Sequence, residues 1–165
     1  MTRLLEDRNG LSTPDLKVLE DIEGVGWHVT GVFDEKNADG PEWAFSIGLF
    51  HSFGHPEVII VGFPLERCMD IINVIGEEVK AGKRFKPGNS YADILQDPFK
   101  CAFQAVDRRL YRDYVGYALW FYENDMFPLV QCFWPDKEQR LPWDSACNEY
   151  VKNSQPMLSE TSRLY

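Results

Sequence analysis

The sequence predicts an α+β domain, a mainly antiparallel sheet of about five strands with two or three helices packed on it. Short β-branched and aromatic runs recur with little chain between them, while two longer segments repeat apolar residues at intervals of three and four. Strands that follow one another directly favour antiparallel pairing, because a parallel partner needs a long crossover. With 165 residues, 44% hydrophobic and 14% aromatic, the chain can close one core.

Residues 12 to 22, STPDLKVLEDI, offer Ser or Thr as a cap, Pro14 in the first turn, and Leu16, Leu19 and Ile22 on one face. This is a short helix, ended by Gly24 and Gly26. Residues 27 to 33, WHVTGVF, alternate as a strand does, and the polar stretch from 34 to 42, with its Asp-Gly step, predicts a hairpin turn into WAFSIGLF at 43 to 50. EVIIVGF, at 57 to 63, is a nearly continuous apolar run and is expected to be a central strand covered on both faces.

From Leu65 the period changes. Leu65, Cys68, Met69, Ile72, Ile75 and Val79 form one helical face, and Gly82 stops the helix. Residues 83 to 99, KRFKPGNSYADILQDPF, read as a long surface excursion, a class of segment that disproportionately carries function. KCAFQAV (100 to 106) predicts a strand. Residues 108 to 124 place Leu110, Tyr114, Tyr117, Ala118 and Phe121 on a helical face weakened by Gly116. FPLVQCFW (127 to 134) is the last strand, before a PDKEQRLPW turn and an irregular tail. One domain is expected over 25 to 158, with an extension at 1 to 24 and a tail at 159 to 165.

The net charge of −9 and the pI near 4.8 make nucleic acid and anionic lipid poor partners. Two local basic stretches, Lys80, Lys83, Arg84 and Lys86, then Arg108, Arg109 and Arg112, read as solvated charge beside turns. No run approaches the roughly 18 apolar residues of a membrane span. The charged first twenty residues argue against a signal peptide, so a cytoplasmic location is expected. Cys68, Cys101, Cys132 and Cys147 form no Cys-x-x-Cys pair and are read as reduced, the first three in the core.

The segment HSFGHPE, at 51 to 57, concentrates the titratable side chains. His51, His55 and Glu57 could face one ion, but Gly54 and Pro56 break the helical spacing that lets paired histidines share a face, so no metal site is assigned. His55 and Glu57 are the catalytic candidates, as an acid and base pair. Ser46 lacks the Gly-x-Ser-x-Gly turn that exposes a nucleophile. Trp134 and Trp143 flank the polar turn, where they either close the loop or wall a recognition surface.

Taken together, WAFSIGLFHSFGHPEVIIVGF, YRDYVGYALWFYE, FPLVQCFWPDKEQRLPWD and the later SQPML resemble the bacterial family known as domain of unknown function 4262. The matching positions are Ile47, Gly48, Leu49, His55, Pro56 and Glu57, then Gln131, Trp134, Pro135, Asp136, Pro142 and Trp143. The resemblance covers about residues 26 to 158. It implies a small soluble bacterial domain, brings no settled activity, cofactor or substrate, and directs attention to His55, Glu57, Gln131 and Asp136. His51 has no counterpart in the pattern.

The functional expectation is an interaction module. Gln131, Trp134, Asp136 and Trp143 are its binding candidates, the 83 to 99 excursion contributes, and the acidic charge suits a basic protein partner. One alternative is a small-molecule enzyme in which His55 and Glu57 act as acid and base while Gln131 or Asp136 orients the substrate. Another is a protein that holds a cofactor, its identity unspecified, in an aromatic cleft.

Overall fold

The structure is a computed structural model that describes residues 2–5, 7–36 and 39–159. A 3-10 turn at Arg3–Leu5 precedes α1 (Thr13–Val25). The Ser12 hydroxyl caps α1 by accepting the Asp15 N–H at 3.2 Å, and Gly26, at φ 108°, ends it in the left-handed region. There follow β1 (His28–Val32), β2 (Trp43–Ile47), α2 (Leu49–Phe53), β3 (Glu57–Val61), α3 (Leu65–Lys80), β4 (Ser90–Tyr91) and β5 (Cys101–Ala105). A 3-10 turn at Arg108–Leu110 leads into α4 (Tyr111–Tyr114), α5 (Gly116–Tyr122), β6 (Leu129–Phe133) and α6 (Glu149–Ser154). The expected hairpin turn includes residues 37 and 38, and the tail includes 160 to 165, all outside the described residues.

The six strands form one sheet in the order β1-β2-β3-β6-β5-β4, and every pair is antiparallel except the central one, β3 with β6. The fold is therefore α+β, as expected, with a sixth strand where about five were predicted. That strand, β4, has two residues inside the excursion, too few to show a period of two. The helices also differ from expectation in three places. WAFSIGLF, expected as strand to residue 50, ends as β2 at Ile47, because Gly48 at φ 115° turns the chain into α2, and the 108 to 124 helix breaks at Val115, which adopts φ −130° and ψ 44°. Within the stretch read as irregular tail, α6 forms where Asn148 caps the Val151 N–H at 3.2 Å.

Both faces of the sheet are covered. Val58, Ile60, Ala44 and Cys132 pack with Cys68, Ile72 and Ile75 of α3 on one side. Phe45, Ile47, Ile59 and Val61 pack with Val18, Leu19 and Ile22 of α1 and with Phe121 of α5 on the other. All five residues of β3 are buried, which is why its sequence after Glu57 is apolar without alternation. All four cysteines are free and buried, Cys147 included, and burial pushes the Cys68 thiol up to about 11. Among the described residues no helix is long and apolar enough to cross a membrane.

One contact sets α3 against β1. Trp27 donates its indole N–H to the Asn73 side chain at 3.1 Å, and a Cβ at Gly76 would lie 2.4 Å from the indole. Gly76→Ala is expected to destabilise the fold by about 2 kcal/mol, against the helix propensity gained, because the buried indole would have to shift and strain its bond to Asn73. Urea denaturation checks this, and a stabilised variant would contradict the packing argument.

Candidate functional site

The parallel central pair brings the carboxyl ends of β3 and β6 to the same edge of the sheet, the place where open sheets present crevices for ligands. From these ends Gly62-Phe63-Pro64 leads into α3, and Trp134-Pro135-Asp136 leads into a long loop. The excursion packs beside them. The three segments enclose a groove of about 940 Å³ whose lining includes Phe63, Arg67, Leu95, Phe99, Trp134 and Asp136.

The Phe63 and Trp134 rings stack with centroids 3.9 Å apart, and the Arg67 guanidinium lies 4.7 Å from the Phe63 centroid. Trp134 is held rigidly. Its indole N–H donates to the Val61 carbonyl at 2.9 Å, and its backbone N–H and C=O both bond the Gln155 amide at 2.9 Å. Asp136 organises the adjoining wall by accepting the N–H groups of Glu138, Arg140 and Asn148, each at 2.9 Å. Burial acts to raise its pKa, but those three donors prevail and hold the carboxyl below its usual range.

The two catalytic candidates occupy a different part of the fold. Glu57 opens β3 and projects its carboxylate at the start of α2. Oε1 accepts the Ser46 hydroxyl at 2.8 Å and the Leu49 N–H at 3.1 Å, while Oε2 accepts the N–H groups of Gly48 and Phe50 at 2.9 and 3.2 Å and the Tyr122 hydroxyl. The hydroxyls are oriented in turn, since Ser46 Oγ accepts the Val58 N–H and the Tyr122 oxygen accepts that of His51. Burial raises the Glu57 pKa and the surrounding donors oppose it; burial and the adjacent carboxylate push Tyr122 far above its ordinary value.

His55 is also fully buried. Its Nε2 accepts the Phe85 N–H at 3.0 Å, so the ring is neutral and Nδ1 donates to the Pro56 carbonyl at 2.8 Å. Burial lowers its pKa, helped by the Arg84 charge. The ring therefore ties the start of the excursion to the entrance of β3. Among the described residues no hydrogen bond joins His55 to Glu57, and neither lines the groove. The described residues also contain no group of three side chains suited to a metal ion.

Of the binding candidates, Trp134 and Asp136 meet in the groove. Gln131 lies elsewhere, donating to the Pro156 carbonyl at 2.8 Å and accepting the Leu158 N–H at 3.1 Å, which pins the chain beyond α6 to β6. Trp143 is 46% exposed and sets its ring at 78° against Phe133, outside the groove lining. Sequence reasoning missed Phe63, Arg67, Leu95 and Phe99. The available signals were Phe63 between a buried strand and Pro64, and Leu95 and Phe99 among the apolar side chains of the excursion.

These features define a single-sheet α+β domain with a groove at the carboxyl ends of its central parallel strands. The chain belongs to the family described as Domain of unknown function (DUF4262), which matches residues 21–148. No curated protein and no solved structure matches it.

Proposed function

We propose that the chain is a protein-interaction module that takes an extended segment of a partner in this groove. The observation that carries the reading is the convergence of the excursion and the Trp134 loop on one largely apolar concavity, with Phe63 and Trp134 stacked on its wall. The partner segment is apolar, matched to Phe63, Leu95, Phe99 and Trp134, and carries polar flanks of both signs, since the charged lining is mixed, with Arg67, Lys137 and Arg140 beside Glu138. The hydrogen bonds of His55 and Glu57 favour this reading over acid and base catalysis, because they are satisfied within the fold and away from the groove. The unpaired cysteines suit a cytoplasmic setting.

A photocrosslinking residue at exposed Gln96, on the groove, tests the proposal, with the same residue at exposed Glu20 of α1 as the control. The expected result is one crosslinked protein from position 96 alone. A synthetic peptide of the crosslinked segment then binds the native domain and loses roughly tenfold in affinity to a folded Phe99→Asp variant. Equal crosslinking from Glu20, or unchanged peptide affinity, overturns the assignment.

A further inference from the structure

Away from the groove, four arginines converge on one cleft of about 740 Å³. Arg108 and Arg109 come from the second 3-10 turn, Arg112 from α4, and Arg3 from the N-terminal turn, outside the span matched by the family. Carboxylates balance part of this charge, Glu123 beside Arg3 and Asp107 on Arg109, and Arg108 and Arg112 remain as cationic donors at the cleft.

Two of these groups are preorganised. The Arg3 Nε donates to the Trp120 carbonyl, its guanidinium lies 4.8 Å from the Trp120 centroid, and Nη1 is 3.9 Å from Glu123. Arg109 is gripped by the buried Asp107, with Nη2 at 2.9 Å and Nε at 3.1 and 3.2 Å from its carboxylate oxygens. Arg108 and Arg112 are exposed, and among the described residues neither pairs with a carboxylate. A guanidinium presents five donors in a planar fork that matches phosphate oxygens, and prior immobilisation lowers the entropy lost on binding.

The cleft also contains Asp113, Glu123 and Asp125, so it offers hydroxyl acceptors beside its cations. We propose that this cleft binds a small organic phosphate ester carrying free hydroxyl groups, with the phosphoryl group on the arginines and the hydroxyls donating to the carboxylates. Its volume falls within the usual range of roughly 300 to 1,000 Å³ for small-molecule sites. The inference is independent of the peptide groove.

Isothermal titration calorimetry of the full chain at fixed ionic strength tests it, using ribose 5-phosphate, inorganic phosphate and a single-stranded oligonucleotide as probes. Ribose 5-phosphate is expected to bind at one saturable site, roughly tenfold more tightly than inorganic phosphate. Arg108→Gln and Arg112→Gln each weaken it by roughly tenfold, Arg3→Gln weakens it as well, and Lys86→Gln in the other basic stretch leaves it unchanged. No saturable heat, an affinity indifferent to Arg108 and Arg112, a preference for inorganic phosphate, or tighter binding of the oligonucleotide would each overturn the assignment.

Discussion

Glu57→Gln is expected to destabilise the domain by about 3 kcal/mol at pH 7, measured by urea denaturation. The substitution preserves shape but places an NH₂ where an oxygen now accepts. Whichever way the amide turns, that NH₂ meets N–H groups of Gly48 and Phe50 or of Leu49, each already directed at the carboxylate. Removing the buried charge recovers part of the loss, which keeps the expected figure below the sum over the lost bonds. A change under about 0.5 kcal/mol, the scale of an ordinary surface substitution, would show that the carboxylate does not hold α2 in place.

The pH dependence of this cost has a definite sign. Burial raises the Glu57 pKa above its ordinary 4.5, so the unfolded chain loses this proton more readily than the folded one. Native stability from this group is full below 4.5 and is lost as the pH rises through the folded value. The penalty of Glu57→Gln therefore grows as the pH falls from neutrality toward 4.5.

His55 works in the opposite direction. Its folded pKa lies below the ordinary 6.5, so the unfolded chain takes up the proton first as the pH falls. The wild type should lose up to about 1.4 kcal/mol per pH unit below 6.5, until the folded value is reached, and His55→Gln should lack that slope. Protonation at Nε2 also removes the acceptor for Phe85, so amide exchange at Phe85 should accelerate over the same interval in the wild type. An unchanged slope in the variant would mean that His55 does not report the tether between the excursion and β3. Because Glu57 and His55 oppose one another, the wild-type profile alone can look flat. The two variants separate the contributions.

Much of the fold was legible because local periodicity records burial. VIIVGF, after Glu57, could be placed at the centre of the sheet because a strand covered on both faces shows no polar alternation, and Leu65 to Val79 could be read as a helix because its buried face repeats at helical spacing. Cys68, Cys101 and Cys132 could be assigned to the core from their apolar neighbours. The two-residue β4 escaped because so short a strand has no measurable period.

The groove was legible only in part. Trp134 and Asp136 stood out by their placement at a turn, but nothing local separated them from Gln131 and Trp143, which face other parts of the molecule. His55 and Glu57 looked alike as titratable residues two positions apart. Their hydrogen-bond partners, Phe85 for one and Ser46 and Tyr122 for the other, are distant in sequence, and those partners define what each side chain does.

By itself the sequence determined the α+β class, the central apolar strand, the long helix and the acidic balance, all properties that depend on neighbouring residues or on composition. Tertiary structure alone decided that β3 and β6 run parallel, that the excursion closes on Trp134, and that Arg3 joins Arg108, Arg109 and Arg112. The physical reason is that pairing direction and side-chain convergence depend on contacts between segments far apart in the chain, for which a strand buried on both faces carries no distinguishing local pattern.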